Sequence, residues 1–236
     1  MQNSAVSVLL ISAASIGFVH TLIGPDHYLP FVVLARVRKW RLGKTLLVTL
    51  ACGLGHVLSS VLIGAIGVAA GIALTRLEGV ESARGEVASW LLIGFGLAYA
   101  VWGLRRGILN RPHSHLHVHE DGHAHAHLHT HSGRHGHLHE GKGQVTPWVL
   151  FIIFVLGPCE PLIPLLMYPA ATHHWAAVVG VTAVFGTTTV LTMLTIVGLL
   201  TRGLLMIKTG GLERYSHALA GAIIALSGLA IKFLGL

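Results

Sequence analysis

The sequence predicts an all-α polytopic membrane protein: six transmembrane helices arranged as a 3+3 inverted repeat, with helices 1 and 4 broken. Three observations predict it. Only 11% of the 236 residues are charged while 53% are hydrophobic, at a mean hydropathy of +0.71; a soluble domain carries about 25% charged residues. The apolar residues come in unbroken runs longer than about 18 residues, the length at which a run reads as a membrane span rather than a core helix. Finally, two motifs recur at one offset. Gly24-Pro25-Asp26-His27 matches Gly157-Pro158-Cys159-Glu160 (157 − 24 = 133), and Gly53, Val57, Leu58 and Ser59 match Gly186, Val190, Leu191 and Thr192 (186 − 53 = 133).

The spans fall at roughly 5–34, 44–74, 87–109, 147–170, 175–200 and 215–235. Several exceed the ~20 residues that cross a bilayer, so tilt or breakage is expected. The first starts almost at Met1 without a basic n-region, which argues against a cleaved signal peptide. The halves are 1–109 and 147–236, and each holds an odd number of spans, so the second enters the bilayer inverted relative to the first. Between them, 110–146 is polar and carries 12 of the 18 histidines. Thirteen of the sixteen Lys and Arg residues fall on one side of this topology; Arg76, Arg84 and Lys232 fall on the other. Positive charge marks the cytoplasmic side, so both termini are expected outside a bacterial or archaeal inner membrane, with the histidine-rich loop in the cytoplasm. The net charge of +7 is then topological, and no nucleic-acid partner is expected.

Of the nine acidic residues, only Asp26 and Glu160 lie within these spans, and no basic residue is expected at their depth. An ionisable group there costs several kcal/mol unless paired or hydrated, which makes it a functional candidate. His20-Thr-Leu-Ile-Gly24-Pro25-Asp26-His27 sets two imidazoles and a carboxylate around a helix breaker. Pro25 lacks an N–H and clashes with the preceding turn, and Gly24 lets the backbone turn. A break of this kind persists at membrane depth only beside protein or a hydrated cavity. His56 adds an imidazole from the second span. In the fourth, Pro158, Pro161 and Pro164 exclude an ordinary helix around Cys159 and Glu160. Metal ligands are thus expected at His20, Asp26, His27, His56 and Glu160, and less strongly at Cys159, which also serves as a small apolar filler. Thr187, Thr188 and Thr189 are expected behind them, holding backbone or water. Imidazole with carboxylate suits Ni, Co, Zn or Fe better than Mg or Ca. Cys52 and Cys159 both lie in apolar runs, so no disulfide framework is expected.

The loop histidines, His113, His115, His117, His119, His123, His125, His127, His129, His131, His135, His137 and His139, form a compositional metal-binding tract. A Gly-containing polar chain of this type is expected to be disordered and to chelate weakly at several places.

On the His20-to-His27 motif and the glycine-flanked His56, the chain resembles the nickel/cobalt transporter superfamily, in its six-span urease-accessory and nickel/cobalt-efflux branch. The resemblance implies passage of Ni²⁺ or Co²⁺ through His20, Asp26, His27 and His56. The chain departs from the importer form by one residue, with five between His20 and Asp26, and in having six spans rather than eight. Gly-Pro-Cys159-Glu-Pro also resembles the proline–cysteine segment of the thiol-reductant carriers used in cytochrome c maturation. Those carry two redox cysteines at repeat-equivalent positions, whereas here Asp26 is the equivalent of Cys159 and Phe185 that of Cys52, so this becomes the alternative, beside an exporter of another small solute. An enzyme is not expected: there is no His-Glu-x-x-His helix and no Gly-x-x-x-x-Gly-Lys loop. The expectation is a transporter of a divalent transition-metal cation, without an enzyme cofactor, in contact with lipid. A metallochaperone and a second copy of the chain are partners the sequence leaves open.

Overall fold

The computed structural model describes residues 2–109, 113–118, 124–129, 145–206 and 210–235. Helix α1 runs Gln2–Ile23, a 3-10 turn covers Pro25–His27, and α2 continues over Leu29–Val37. Then come α3 (Leu42–Ala69) and α4 (Leu74–Leu109), a hairpin of β1 (His113–Val118) and β2 (Ala124–His129), α5 (Val145–Leu156) and α6 (Leu162–Ala171). Helix α7 (Trp175–Met206), a second 3-10 turn (Gly210–Tyr215) and α8 (Ser216–Leu234) complete the order.

Five of these helices are long and apolar enough to cross a membrane: Ala5–Ile23, Leu42–Ala69, Leu74–Leu109, Trp175–Gly203 and Glu213–Leu234. The chain is an integral, polytopic membrane protein. Helices α5 and α6 are apolar but shorter, and the chain leaves helical geometry between them at residues 157–161. Large apolar side chains such as Leu58, Leu62, Val179 and Leu191 are exposed, as a lipid-facing surface requires.

Two expectations are corrected. The third span begins at Leu74 instead of 87, because Arg76, Glu78, Glu81, Arg84 and Glu86 depress the hydropathy of a stretch that is nevertheless helical. Part of the histidine-rich segment is ordered as an antiparallel hairpin. Its register sets His113 against His129, His115 against His127 and His117 against His125, so histidine positions meet across the ladder. His119, His123, His131, His135, His137 and His139 lie outside the described residues.

Small residues let α4 and α8 approach closely. A Cβ on Gly96 would stand 2.4 Å from the Ala225 nitrogen, and one on Gly221 would stand 2.2 Å from the Ala100 nitrogen. Without water to drive helices together, such backbone proximity is what packing in lipid rests on. One end of the bundle is tied by Arg38, which donates to Thr146 Oγ1 at 3.0 Å, and by Tyr99 Oη and His217 Nδ1 at 2.9 Å. At the other end Lys232 Nζ donates to Glu86 Oε1 at 2.6 Å. Between the ends lie two apolar clusters. Phe31, Leu34, Cys52, Leu150, Met193 and Ile224 belong to one, and Ala13, Cys159, Leu162, Val181 and Phe185 to the other.

Candidate functional site

The break after α1 begins with Gly24, whose backbone is extended (φ −73°, ψ 104°). A Cβ there would lie 2.4 Å from His27 Nδ1, so only glycine lets His27 fold back onto the break. Pro25 cannot donate to the Thr21 carbonyl, and the helix ends with the Gly24 N–H bonded to His20 O at 3.1 Å. The 3-10 turn then points His27 inward.

His27 Nδ1 stands 3.0 Å from Asp26 Oδ1 and 3.3 Å from Gly24 O. Both are acceptors, so this nitrogen donates, and Nε2 carries the lone pair of the neutral ring. His56, on α3, repeats the arrangement, with Nδ1 3.3 Å from Phe154 O. His20 comes from the last turn of α1. The ring centroids are 4.8 Å apart for His20 and His27, 5.2 Å for His27 and His56, and 6.3 Å for His20 and His56. One ring nitrogen from each lies within 4.8 Å of the others. The Nε2 atoms of all three are buried and have no hydrogen-bond partner among the described residues. Buried polar nitrogens are rarely left so. Carboxylate or carbonyl behind Nδ1 with Nε2 facing forward is the arrangement that orients imidazole toward a metal.

The remaining predicted residues are placed as follows. Asp26 supports His27, with its side chain 27% exposed. Glu160 is exposed and lines a cavity of about 400 Å³, together with His20, Asp26 and His27. It is not a member of the three-histidine group. Cys159 is fully buried in the second apolar cluster. Thr189 is buried with Oγ1 unpartnered, facing α1 at Gly17, whereas Thr187 is exposed and lines a lateral apolar groove, and Thr188 is half-buried. Pro158 and Pro161 flank Cys159 at the second break, with Pro158 against Gly85 of α4.

Sequence reasoning missed Ser59, Ser60, Glu81 and Arg84. Glu81 is wholly buried on α4 and ion-paired with Arg84. Its Oε2 accepts from Ser60 Oγ at 2.8 Å and from the Cys159 N–H at 3.2 Å. Arg84 also donates to Ser59 Oγ at 2.7 Å, to Val155 O at 2.8 Å and to Gly157 O at 3.3 Å. The carbonyls released where α5 ends are thus satisfied by a guanidinium, as a break inside a membrane requires. The expectation that no basic residue reaches the depth of the breaks is therefore wrong, because α4 begins earlier than hydropathy suggested. The i,i+3 pairing of Glu81 with Arg84 was the available signal.

No curated protein matches the chain, and neither does any solved structure. One family model does match, that of the cytochrome c biogenesis protein transmembrane region, over residues 29–235. This overturns the assignment to the nickel/cobalt transporter superfamily and, with it, the reading of the chain as a metal-cation transporter. The absence of a repeat-equivalent cysteine pair does not separate the chain from that family. The match takes in Cys52, His56, Cys159 and the Arg84 network, and leaves His20, Asp26 and His27 just ahead of it. With 29–235 of its 236 residues covered, the chain belongs to the cytochrome c biogenesis protein transmembrane region family.

Proposed function

We propose that the chain is a membrane carrier of reducing equivalents, of the thiol-reductant kind used in cytochrome c maturation. The observation that carries this reading is the family match over residues 29–235, which takes in the second break and Cys159 within it. In this reading α5 and α6 together form the sixth span, the halves 1–109 and 147–236 are inverted repeats, and the termini lie outside the cell membrane. The chain carries electrons between partners and is not itself a hydrolytic enzyme.

Cys52 and Cys159 are both free and occupy different apolar clusters, so Cys159 works as a single thiol. Its thiolate attacks an acceptor disulfide, forming a mixed disulfide and releasing one acceptor thiolate. A donor dithiol then attacks the Cys159 sulfur, which releases the second acceptor thiolate. The donor's other thiol closes the donor disulfide and frees Cys159. The acceptor gains two electrons and the donor loses two. Cys159 is sealed in the conformation described, so exchange requires the segment 157–161 to swing out. Its prolines leave few helix hydrogen bonds to break.

The test uses sealed vesicles containing the protein, a membrane-impermeant dithiol inside and a disulfide reporter outside. Cys159→Ser is expected to abolish transmembrane reduction, while Cys52→Ser retains it. Unchanged reduction in Cys159→Ser would remove the thiol reading and leave carriage of another small solute.

A second reading concerns the histidine cluster alone and rests on its three unpartnered Nε2 atoms. His20, His27 and His56 hold one transition-metal ion, Ni, Co, Zn or Fe, as a bound group of the carrier. Metal analysis of protein lacking 113–139, with His20→Ala and His56→Ala beside it, checks this. A stoichiometric ion lost in either variant supports it, and a metal-free parent loaded with none of the four rejects it.

A further inference from the structure

Helices α4 and α8 are in close contact from Gly103 and His217 down to Gly228 and Ile93. Beyond that level the two helices border a cavity of about 400 Å³. Ser82, Glu86 and Ser89 of α4 and Ile231 and Lys232 of α8 form one side of it, Pro158, Glu160 and Pro161 line another, and His20, Asp26 and His27 also border it. Glu86 of α4 and Lys232 of α8 both border the cavity, and they are joined by the 2.6 Å ion pair that bridges the two helices. Lys232 Nζ also lies 5.8 Å from the centroid of Trp90. Of the lining groups, three are carboxylates, Asp26, Glu86 and Glu160, against one ammonium. His27, only 3% exposed, adds an unpartnered Nε2 among the lining residues.

We propose that this cavity is a cation-selective aqueous vestibule leading to the histidine cluster from the face where α8 ends, and that the Glu86–Lys232 pair is its gate. The inference stands independently of the thiol step. Three carboxylates at low-dielectric walls raise the local concentration of small cations and repel anions. The gate is one ion pair beside Trp90, with Glu86 59% exposed. Such a pair is weak and screened by salt, so it opens and recloses on thermal fluctuation. The long glycine-lined contact behind it does not have to move.

Cysteine accessibility in the full chain tests the proposal. Ser89→Cys places a thiol on the vestibule wall, and the parent chain, whose two cysteines are buried, supplies the background. A neutral methanethiosulfonate reads the gate, and cationic and anionic forms of similar size read the field. Lys232→Gln is expected to raise the neutral reagent's rate roughly fivefold, the population factor a weak exposed pair commands. The exchanged pair Glu86→Lys with Lys232→Glu returns that rate to the parent value. The cationic reagent outpaces the anionic one in every folded variant. Equal neutral rates with and without Lys232→Gln overturn the gate, and equal cationic and anionic rates overturn the selectivity. An unreactive Ser89→Cys in protein that elutes as a folded species overturns the vestibule.

Discussion

Arg84 joins three separate pieces of chain through one planar group: the Glu81 carboxylate on its own helix, the serine pair on α3, and the carbonyls of Val155 and Gly157 at the second break. Removing it leaves Glu81 buried without a counter-charge, a situation that costs about 3–5 kcal/mol. Arg84→Met is therefore expected to lower the unfolding midpoint in detergent markedly. Adding Glu81→Gln recovers much of the loss, because no buried charge then remains. At the first break the controlling residue is Gly24. Gly24→Ala drives a methyl into the space of His27 Nδ1, and metal retained by the loopless protein is expected to fall while helix content by circular dichroism stays constant. The histidines were legible from sequence because an imidazole is costly in a span and a Gly-Pro breaker stood beside two of them. Glu81 and Arg84 were not, because their charges lowered the hydropathy by which the span containing them is recognised.

At the scale of elements, the break between α5 and α6 follows from its prolines, and the sequence pointed to it directly. Helix α4 shows the opposite case. Its 36 residues include a first half that reads as a polar segment, and the contacts of Glu81 with Ser60, of Arg84 with Ser59 and the second break, and of Leu77 with Gly67 hold it helical against the bundle. The α4–α8 contact is set by backbone proximity. Gly221→Leu forces a side chain where the Ala100 backbone stands. It is expected to cost about 1–3 kcal/mol or more, as overpacking does, and to weaken the Glu86–Lys232 bridge further along the same helices. Thermal unfolding in detergent, together with the yield of a disulfide engineered between positions 86 and 232, measures both effects.

For the whole molecule, membrane class and the two breaks were readable from composition and motif spacing, whereas family membership was not. The histidines of the first two spans pointed to metal carriage, and Asp26 standing where a second redox cysteine would lie left the thiol carriers as the alternative. The family match covers residues 29–235. The hairpin of β1 and β2 lies between α4 and α5 in the chain. Removing 113–139 is therefore expected to leave transmembrane reduction within about twofold in the same vesicles, since surface segments of this kind tolerate deletion; complete loss in a normally inserted protein would make the loop part of the carrier. The pairing of α4 with α8 has a consequence for how the chain is made. Helix α8 begins about 100 residues after α4 ends, so α4 waits in the translocation machinery or the bilayer for roughly ten seconds at ordinary elongation rates before its glycine face is covered. During that interval its acidic and basic first half has neither α8 nor the α5–α6 break to lean on. A ribosome stalled between the two helices therefore leaves α4 in the bilayer with its glycine face uncovered.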